Sequence, residues 1–323
     1  MIRTLTIIIM SIMALTGQSA ANADSTAGQK AVLITGASSG LGRVMAETMA
    51  AHGYFVYAGA RKDKDLEELT AIENIQGIRL DVNKQDQIDA AVMTISEAGR
   101  GLYGLVNNAG VAVAQPLIEI DEQDFDFQMN VNVYGPYRVT RAFAPLIIES
   151  KGRISIIGSI SGTLSSATWG PYSMTKFAME AFADALADEM KSFGVDVSLI
   201  EPGAYRSNIG KSALERMAEK NQSADDSQLK GAMDATVNWL TRFENDHGDP
   251  AEVADAVMKA LFDDNPKPRY LTVPTQEQAY WTINRAIERM VEQNHDHKYS
   301  YDREALIEML DAALAKQSGE VVR

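Results

Sequence analysis

The chain has no cysteine among its 323 residues. That excludes disulfides, thiolate metal sites and cysteine nucleophiles together, and it leaves the redox compartment open. Aromatic residues are scarce at 7%, and there are only 4 histidines. His295 and His297 flank Asp296 and read as a solvated linker, so no metal is expected. Bases fall short of acids, 30 against 44, for a formal net charge of -14. So acidic a surface repels phosphate backbones, and no nucleic-acid partner is expected. What is present is ordinary: 46% hydrophobic and 23% charged residues, which excludes a disordered chain, a collagen-like chain and a polytopic membrane protein. The length allows one large α/β domain or two small ones.

Residues 1–23 differ from the rest. Arg3 is followed by an apolar stretch from Leu5 to Leu15, then by Gly17, Gln18, Ser19 and Ala21-Asn22-Ala23. A positive start, a short apolar core and an A-x-A site predict a secretory signal peptide cleaved after Ala23, and hence an exported, periplasmic protein. The alternative is an uncleaved anchor facing the cytoplasm, because Thr4–Ala23 carries no charge and could just span a bilayer. Membrane contact is expected only in that second case.

Ala31–Thr35 is a short apolar run followed by Gly36-Ala37-Ser38-Ser39-Gly40-Leu41-Gly42. Helical apolar spacing follows at Val44, Met45 and Met49, and Tyr54–Gly59 reads as the next strand. This strand, glycine turn, helix and strand open a nucleotide-binding sheet. Gly36 permits the tight turn, Gly40 lets backbone N–H groups approach a pyrophosphate, and Gly42 lets the helix pack close. The second strand ends in Ala60-Arg61-Lys62 rather than in an acid. A guanidinium suits a ribose 2′-phosphate, so Arg61 points to NADP, with NAD as the alternative because Asp63 and Asp65 lie close by. Ile78–Val82 predicts a third strand, and Lys84–Ala98 an amphipathic helix. Alternating elements of these lengths predict a doubly wound parallel sheet of the Rossmann type.

Taken together these motifs resemble the short-chain dehydrogenase/reductase family. Thr35–Gly42 is similar to its T-G-x-x-x-G-x-G loop, and Asn107-Asn108-Ala109-Gly110 to its N-N-A-G. Asn132-Val133-Tyr134-Gly135 matches N-x-x-G. Ser159 precedes Tyr172-Ser173-Met174-Thr175-Lys176, a Y-x-x-x-K, and Pro202-Gly203 follows a strand. The resemblance covers residues 30–275. It implies a catalytic set of Asn132, Ser159, Tyr172 and Lys176. Tyr172 and Lys176 lie one helical turn apart on one face. A free phenol titrates at about 10, and an ammonium one turn away is expected to lower that value. Tyr172 would pass a proton to or from a substrate oxygen, Ser159 would donate a hydrogen bond to that oxygen, and Asn132 would hold a water connected to Lys176. For the cofactor the resemblance implies Gly36, Ser38, Ser39, Gly40, Leu41 and Gly42 at the phosphates, and Asp81 and Val82 at the adenine. Asn108, Ala109 and Gly110 would sit at a ribose, Tyr172 and Lys176 at the nicotinamide ribose, and Pro202, Gly203 and Ser207 at the nicotinamide.

Residues 207–245 are polar and helix-prone, with Met217, Met233 and Trp239 spread along them. They read as a substrate lid or as an ordinary helix pair, and the sequence leaves both open. Residues 276–323 extend the domain of residues 24–275. Tyr280, Trp281, Ile283, Ile287, Met290 and Val291 recur there at helical spacing, which predicts core packing or a contact between copies; a homo-oligomer is expected. Trp169 and Pro171, close to Tyr172, and the methionines of the lid suggest a hydrophobic alcohol or carbonyl substrate. The expected activity is reversible hydride transfer with NADP(H), and the competing reading is a cofactor-binding regulator without turnover. Ile200-Glu201-Pro202-Gly203, the Ala60-Arg61 pair and Pro266–Tyr270 look like the steroid- and retinol-dehydrogenase branch.

Overall fold

The computed structural model describes residues 28–242 and 246–318. The leader expected over residues 1–23 lies outside them. Seven parallel strands form one sheet in the order β3-β2-β1-β4-β5-β6-β7. They are β1 (Ala31–Ile34), β2 (Phe55–Ala60), β3 (Ile75–Arg79), β4 (Gly104–Asn107), β5 (Arg153–Ile157), β6 (Asp196–Pro202) and β7 (Arg269–Thr272). The order reverses between β1 and β4, and ligands of such sheets bind at that crevice, beyond the carboxyl ends of the strands.

The expected doubly wound sheet is present, with a shift at β3. The sequence predicts that strand over residues 78–82, yet Ile75 already pairs with Val56 and Arg79 with Ala60. Gly77 permits the early start, since a side chain there would meet the Leu66 carbonyl at 2.6 Å. Asp81 and Val82 therefore stand past the strand, at the crevice end.

Helices cover both faces. On one, α1 (Gly40–Ala51), α2 (Asp63–Thr70) and α9 (Ala251–Phe262) bury Met45, Met49, Leu69, Val253 and Val257 against Val32, Ile34, Val56 and Ile200. On the other, α3 (Gln85–Glu97), α5 (Gly135–Glu149) and α6 (Gly170–Lys191) bury Ile88, Ile95, Phe143, Ile147, Met179 and Leu186 against Leu33, Leu105, Ile156 and Leu199. Each fully buried side chain of this size contributes about 2 kcal/mol. Between β4 and α5 lies α4 (Glu122–Met129), which runs into a π turn, Asn130–Tyr134. A π turn displaces one residue from the regular ladder and is found often at functional sites.

Between β6 and α9 the chain forms α7 (Ile209–Glu219) and α8 (Lys230–Leu240). It leaves and returns at one place, because Tyr205 bridges Gly248, with Arg206 N donating to Gly248 O at 3.0 Å and Gly248 N to Ala204 O at 3.1 Å. Met217 and Met233 are buried, so these helices have their own apolar packing.

The chain divides into two compact units, one ending at Gln278 and the other running from Ala279. Helix α10 (Gln276–Asn294) starts before that division, and α11 (Arg303–Ser318) lies beyond it. Core packing was one expectation for the apolar stripe of α10, and it is not met. Tyr280 is 65%, Ile283 54% and Val291 52% exposed, with Trp281, Ile287 and Met290 close behind. The spacing is helical as expected, but the apolar positions point to water. Among the described residues no helix is long and apolar enough to cross a membrane.

Candidate active site

The glycine loop begins where β1 ends. Gly36 has φ +67° and Gly40 φ +54°, left-handed values that only glycine adopts without strain. A side chain at Gly36 would also come within 2.9 Å of the Ala109 main chain, so the N-N-A-G loop presses on the glycine loop. Thr35 joins the two loops. Its hydroxyl accepts from Asn108 N and Ala109 N, each at 3.0 Å, and donates to Val106 O at 3.3 Å. In the sequence Thr35 is only the first residue of the loop motif, and nothing there signals this role.

Asn108 has a structural part of its own. Its amide donates to Thr35 O at 2.8 Å and to Gly36 O at 3.1 Å, so its side chain braces the glycine loop from behind. Gly42 closes the same corner. A Cβ there would collide with Gly36 O and sit 2.5 Å from Asn108 Nδ2. Gly42→Val is expected to destabilise the fold by about 2 kcal/mol through overpacking. A midpoint of chemical unfolding equal to that of the wild type would refute this.

Helix α1 starts with Ser39 as its N-cap, whose hydroxyl makes no capping bond, and its first turn carries no acid. Ser38 and Gly40 stand half-buried and Ser39 exposed beside these free N–H groups, while Leu41 turns inward onto the apolar layer. The residues therefore fit a phosphate-bearing group. Ser207 borders the same loop, since a side chain at Gly40 would meet its Cβ at 3.2 Å. Gly110 faces Asn132 at 3.5 Å in the same sense.

Past β2, Arg61 is exposed, and its carbonyl accepts from Arg79 Nη1 at 2.6 Å. The other arm of Arg79 pairs with Asp63. One of the two acids expected to weaken a preference for phosphate, Asp63, is thus already matched by a cation. Asp81 Oδ1 accepts from Asn83 N at 3.0 Å, which fixes the turn after β3. Val82 is buried and packs on Gly135, where a Cβ would come within 2.8 Å of it.

The four residues of the expected catalytic set come together at the ends of β4, β5 and β6. Ser159 stands two residues past β5 and opens a short 3₁₀ turn, Ile160–Gly162, with its hydroxyl accepting from Ser161 N at 3.1 Å. The same hydroxyl lies 3.5 Å from Pro202 O and hydrogen-bonds Tyr172. Lys176 Nζ donates to Ile157 O at 2.8 Å and lies 5.6 Å from the centre of the Tyr172 ring. Asn132 is the third residue of the π turn. Its amide donates to Val111 O at 2.9 Å and to Thr175 Oγ1 at 3.1 Å, and its oxygen accepts from Val111 N at 2.9 Å. Thr175 Oγ1 in turn donates to Tyr172 O at 2.7 Å. Protein groups thus take both N–H bonds of the Asn132 side chain and one of the two acceptor positions of its oxygen.

The electrostatics also depart from expectation. Burial pushes the Tyr172 phenol up to about 12, with the Ser159 hydrogen bond acting weakly the other way. Burial pushes the Lys176 ammonium down to about 8, partly offset by the Glu180 charge. Desolvation of the phenolate outweighs the nearby ammonium, which is turned toward Ile157 O. On its own the protein holds Tyr172 as a protonated phenol.

An apolar cluster stands over this set. Trp169 meets Tyr172 edge-on at 5.5 Å and Trp239 of α8 at 5.0 Å. Ala112, Ala114, Ile209, Ala213, Leu214 and Leu240 complete it. Polar bonds tie the α7–α8 segment down. Asp124 of α4 is fully buried and accepts from Arg216 Nε at 2.7 Å, with Lys220 Nζ 2.9 Å away and Gln222 Nε2 at 3.3 Å. Glu119 accepts from Ser227 Oγ at 2.7 Å and from Gln228 N at 2.8 Å. Gln278, which the sequence assigns to the extension, accepts from Ala204 N at 2.8 Å and covers Gly203.

The short chain dehydrogenase model matches residues 30–218. Mitochondrial D-beta-hydroxybutyrate dehydrogenase of Bos taurus is 37% identical over 188 residues, which is 55% of this chain and 55% of the bovine one. This chain thus spans about half of that relative. Retinol dehydrogenase 7 of Rattus norvegicus is 33% identical over 262 residues, 75% of this chain and 80% of the rat protein. The crystal structure of a short-chain dehydrogenase from Streptomyces avermitilis is 32% identical, with a TM-score of 0.70, covering 82% of this chain and 94% of that one. With this sheet, this glycine loop and these relatives, the chain belongs to the short-chain dehydrogenase family.

Proposed function

We propose that the protein reduces a hydrophobic ketone or aldehyde, or oxidises the matching alcohol, with NADP(H) as its hydride carrier. One observation carries the reading: a buried, protonated Tyr172 bonded to Ser159 stands directly under the apolar cluster of Trp169, Trp239 and Leu240. A nicotinamide carrier, when bound, would supply or accept the hydride. Tyr172 Oη gives its proton to the carbonyl oxygen, and Ser159 Oγ donates to the same oxygen as charge develops on it. Lys176 stabilises the resulting phenolate, and Asn132 locks the Val111 loop to the helix that bears both residues. The cluster excludes water and favours an apolar substrate body. The names of the bovine and rat relatives, a hydroxybutyrate and a retinol dehydrogenase, support an alcohol or carbonyl group as the reacting centre.

NADP is favoured over NAD by Arg61 and by Arg79, which neutralises Asp63. Turnover of a panel of aliphatic, steroid-like and retinoid carbonyls with NADPH and with NADH tests the whole reading. NADPH is expected to be preferred, and Arg61→Ala should raise its KM about tenfold while leaving that for NADH unchanged, the loss of one exposed guanidinium–phosphate pair. Equal use of both carriers by the wild type overturns the cofactor assignment. Tight cofactor binding without turnover on any carbonyl would favour a regulatory protein.

A further inference from the structure

A carboxyl pair stands behind Lys176 that the proposed chemistry does not use. Glu180 lies one helical turn after Lys176 on α6, and Glu201 is the last residue but one of β6, just before Pro202. Glu201 is buried. The two carboxyls are within hydrogen-bonding reach of each other. Glu180 Oε1 is buried, and no N–H or O–H group among the described residues donates to it. It presses on the Ser159 turn, since a side chain at Gly162 would meet this oxygen at 2.5 Å. Its other oxygen accepts from Arg269 Nε of β7 at 3.1 Å, and Arg269 Nη2 donates to Asp184 at 2.7 Å.

This arrangement has a chemical consequence. Two ionised carboxylates cannot bond each other, because neither has a proton to donate. Arg269 is shared with Asp184, so it does not neutralise both members of the pair. Burial raises both carboxyls, helped at Glu201 by the charge and hydrogen bond of Glu180 and at Glu180 by the charge of Asp184, while Arg269 acts against this at each and the bond from Glu201 lowers Glu180. The charged groups acting on the pair are Arg269 from β7, Asp184 and Lys176 from α6, and the two carboxyls themselves. The Ser159 turn brings none.

The pair also touches the main-chain acceptors of the site. Ile200 pairs with Ile157, whose carbonyl holds Lys176 Nζ, and Glu201 is the next residue. Pro202, one further on, offers its carbonyl to Ser159.

We propose that Glu180 and Glu201 share one proton and act as positioning residues that keep Lys176 charged against the cost of its burial. The sign follows from geometry. A negative charge on the pair favours the Lys176 ammonium, and its removal favours the neutral amine. As pH rises, the shared proton leaves for solvent, and the pair becomes more negative just where a buried lysine would otherwise lose its charge. The inference rests on the proposed role of Lys176, so its test needs a readout independent of turnover.

That readout is the titration of Lys176, followed by NMR of an isotope-labelled lysine ε-carbon, with Lys176→Met identifying the resonance. In the wild type the curve should carry a second, smaller inflection below the lysine midpoint, from loss of the shared proton. Glu201→Gln, whose carboxamide can donate to Glu180, should erase that inflection. Glu180→Gln should move the lysine midpoint down by about one pH unit, and the alkaline limb of kcat/KM with it. A merely structural role would lower Tm or kcat and leave midpoint and limb in place. A midpoint unmoved in Glu180→Gln overturns the proposal, and so does a single inflection in the wild type, which needs no variant to fold. If no carbonyl is turned over, the functional reading fails while the titration still decides this one.

Discussion

Tyr172→Phe is expected to lower kcat/KM for carbonyl reduction by about a thousandfold, within the range found when a positioned proton donor is removed. The substitution deletes one oxygen and keeps the ring. The edge-on contact with Trp169 at 5.5 Å therefore survives, and so does the packing over Ala112 and Ala114. The stability cost is that of one buried hydrogen bond to Ser159, about 1 kcal/mol, so the variant should fold. Cofactor affinity should change little, because the glycine loop, Thr35 and Asn108 are untouched. Steady-state kinetics beside a binding titration separate the two effects. Turnover within a few-fold of the wild type would show that the proton comes from elsewhere.

Asp124→Ala is expected to lower unfolding free energy by about 3 kcal/mol, the usual cost of removing one partner from a buried ion pair. Asp124 is fully enclosed, whereas Arg216 and Lys220 keep 24% and 23% of their side-chain surface. Removal of the carboxylate leaves two cations and Gln222 facing a void, with Asp121 at 3.0 Å and Gln123 Oε1 at 3.5 Å left to compensate Lys220. These groups anchor α7 to α4, so the effect should not stop at stability. The α7–α8 segment should become sensitive to limited proteolysis, and KM for an apolar carbonyl should rise more than kcat falls. Unfolding midpoint and cleavage pattern both equal to the wild type would show that the buried carboxylate does not hold this segment.

The sequence makes parts of this molecule plain for a physical reason. The glycine loop, Tyr172 and Lys176 depend on spacing within one turn or one helix, and such patterns can be read along the chain. Asp124 and Arg216 are 92 residues apart, and Ala204 and Gln278 are 74 apart. Nothing in the local pattern of either partner signals the other. Glu180 and Glu201 are hidden in the same way, each looking like a polar residue in a regular element. The π turn was legible only as an N-x-x-G, and the bonds of the Asn132 side chain to Val111 and Thr175 were not legible at all. Apolar spacing on α10 correctly indicated a helix but not its surroundings. Periodicity reports which residues share a face, not what that face meets.

The bridge between Tyr205 and Gly248 has one more consequence. The chain sets out on α7 and comes back after α8 through two adjacent points, so the span between them is an excursion from a finished framework. The entropy of closing such an excursion grows only slowly with its length. Evolution can thus lengthen, shorten or exchange this span without re-engineering the sheet beneath it. Under the proposed function, substrate preference and carrier chemistry are then inherited separately, the first as an interchangeable part and the second as the chassis.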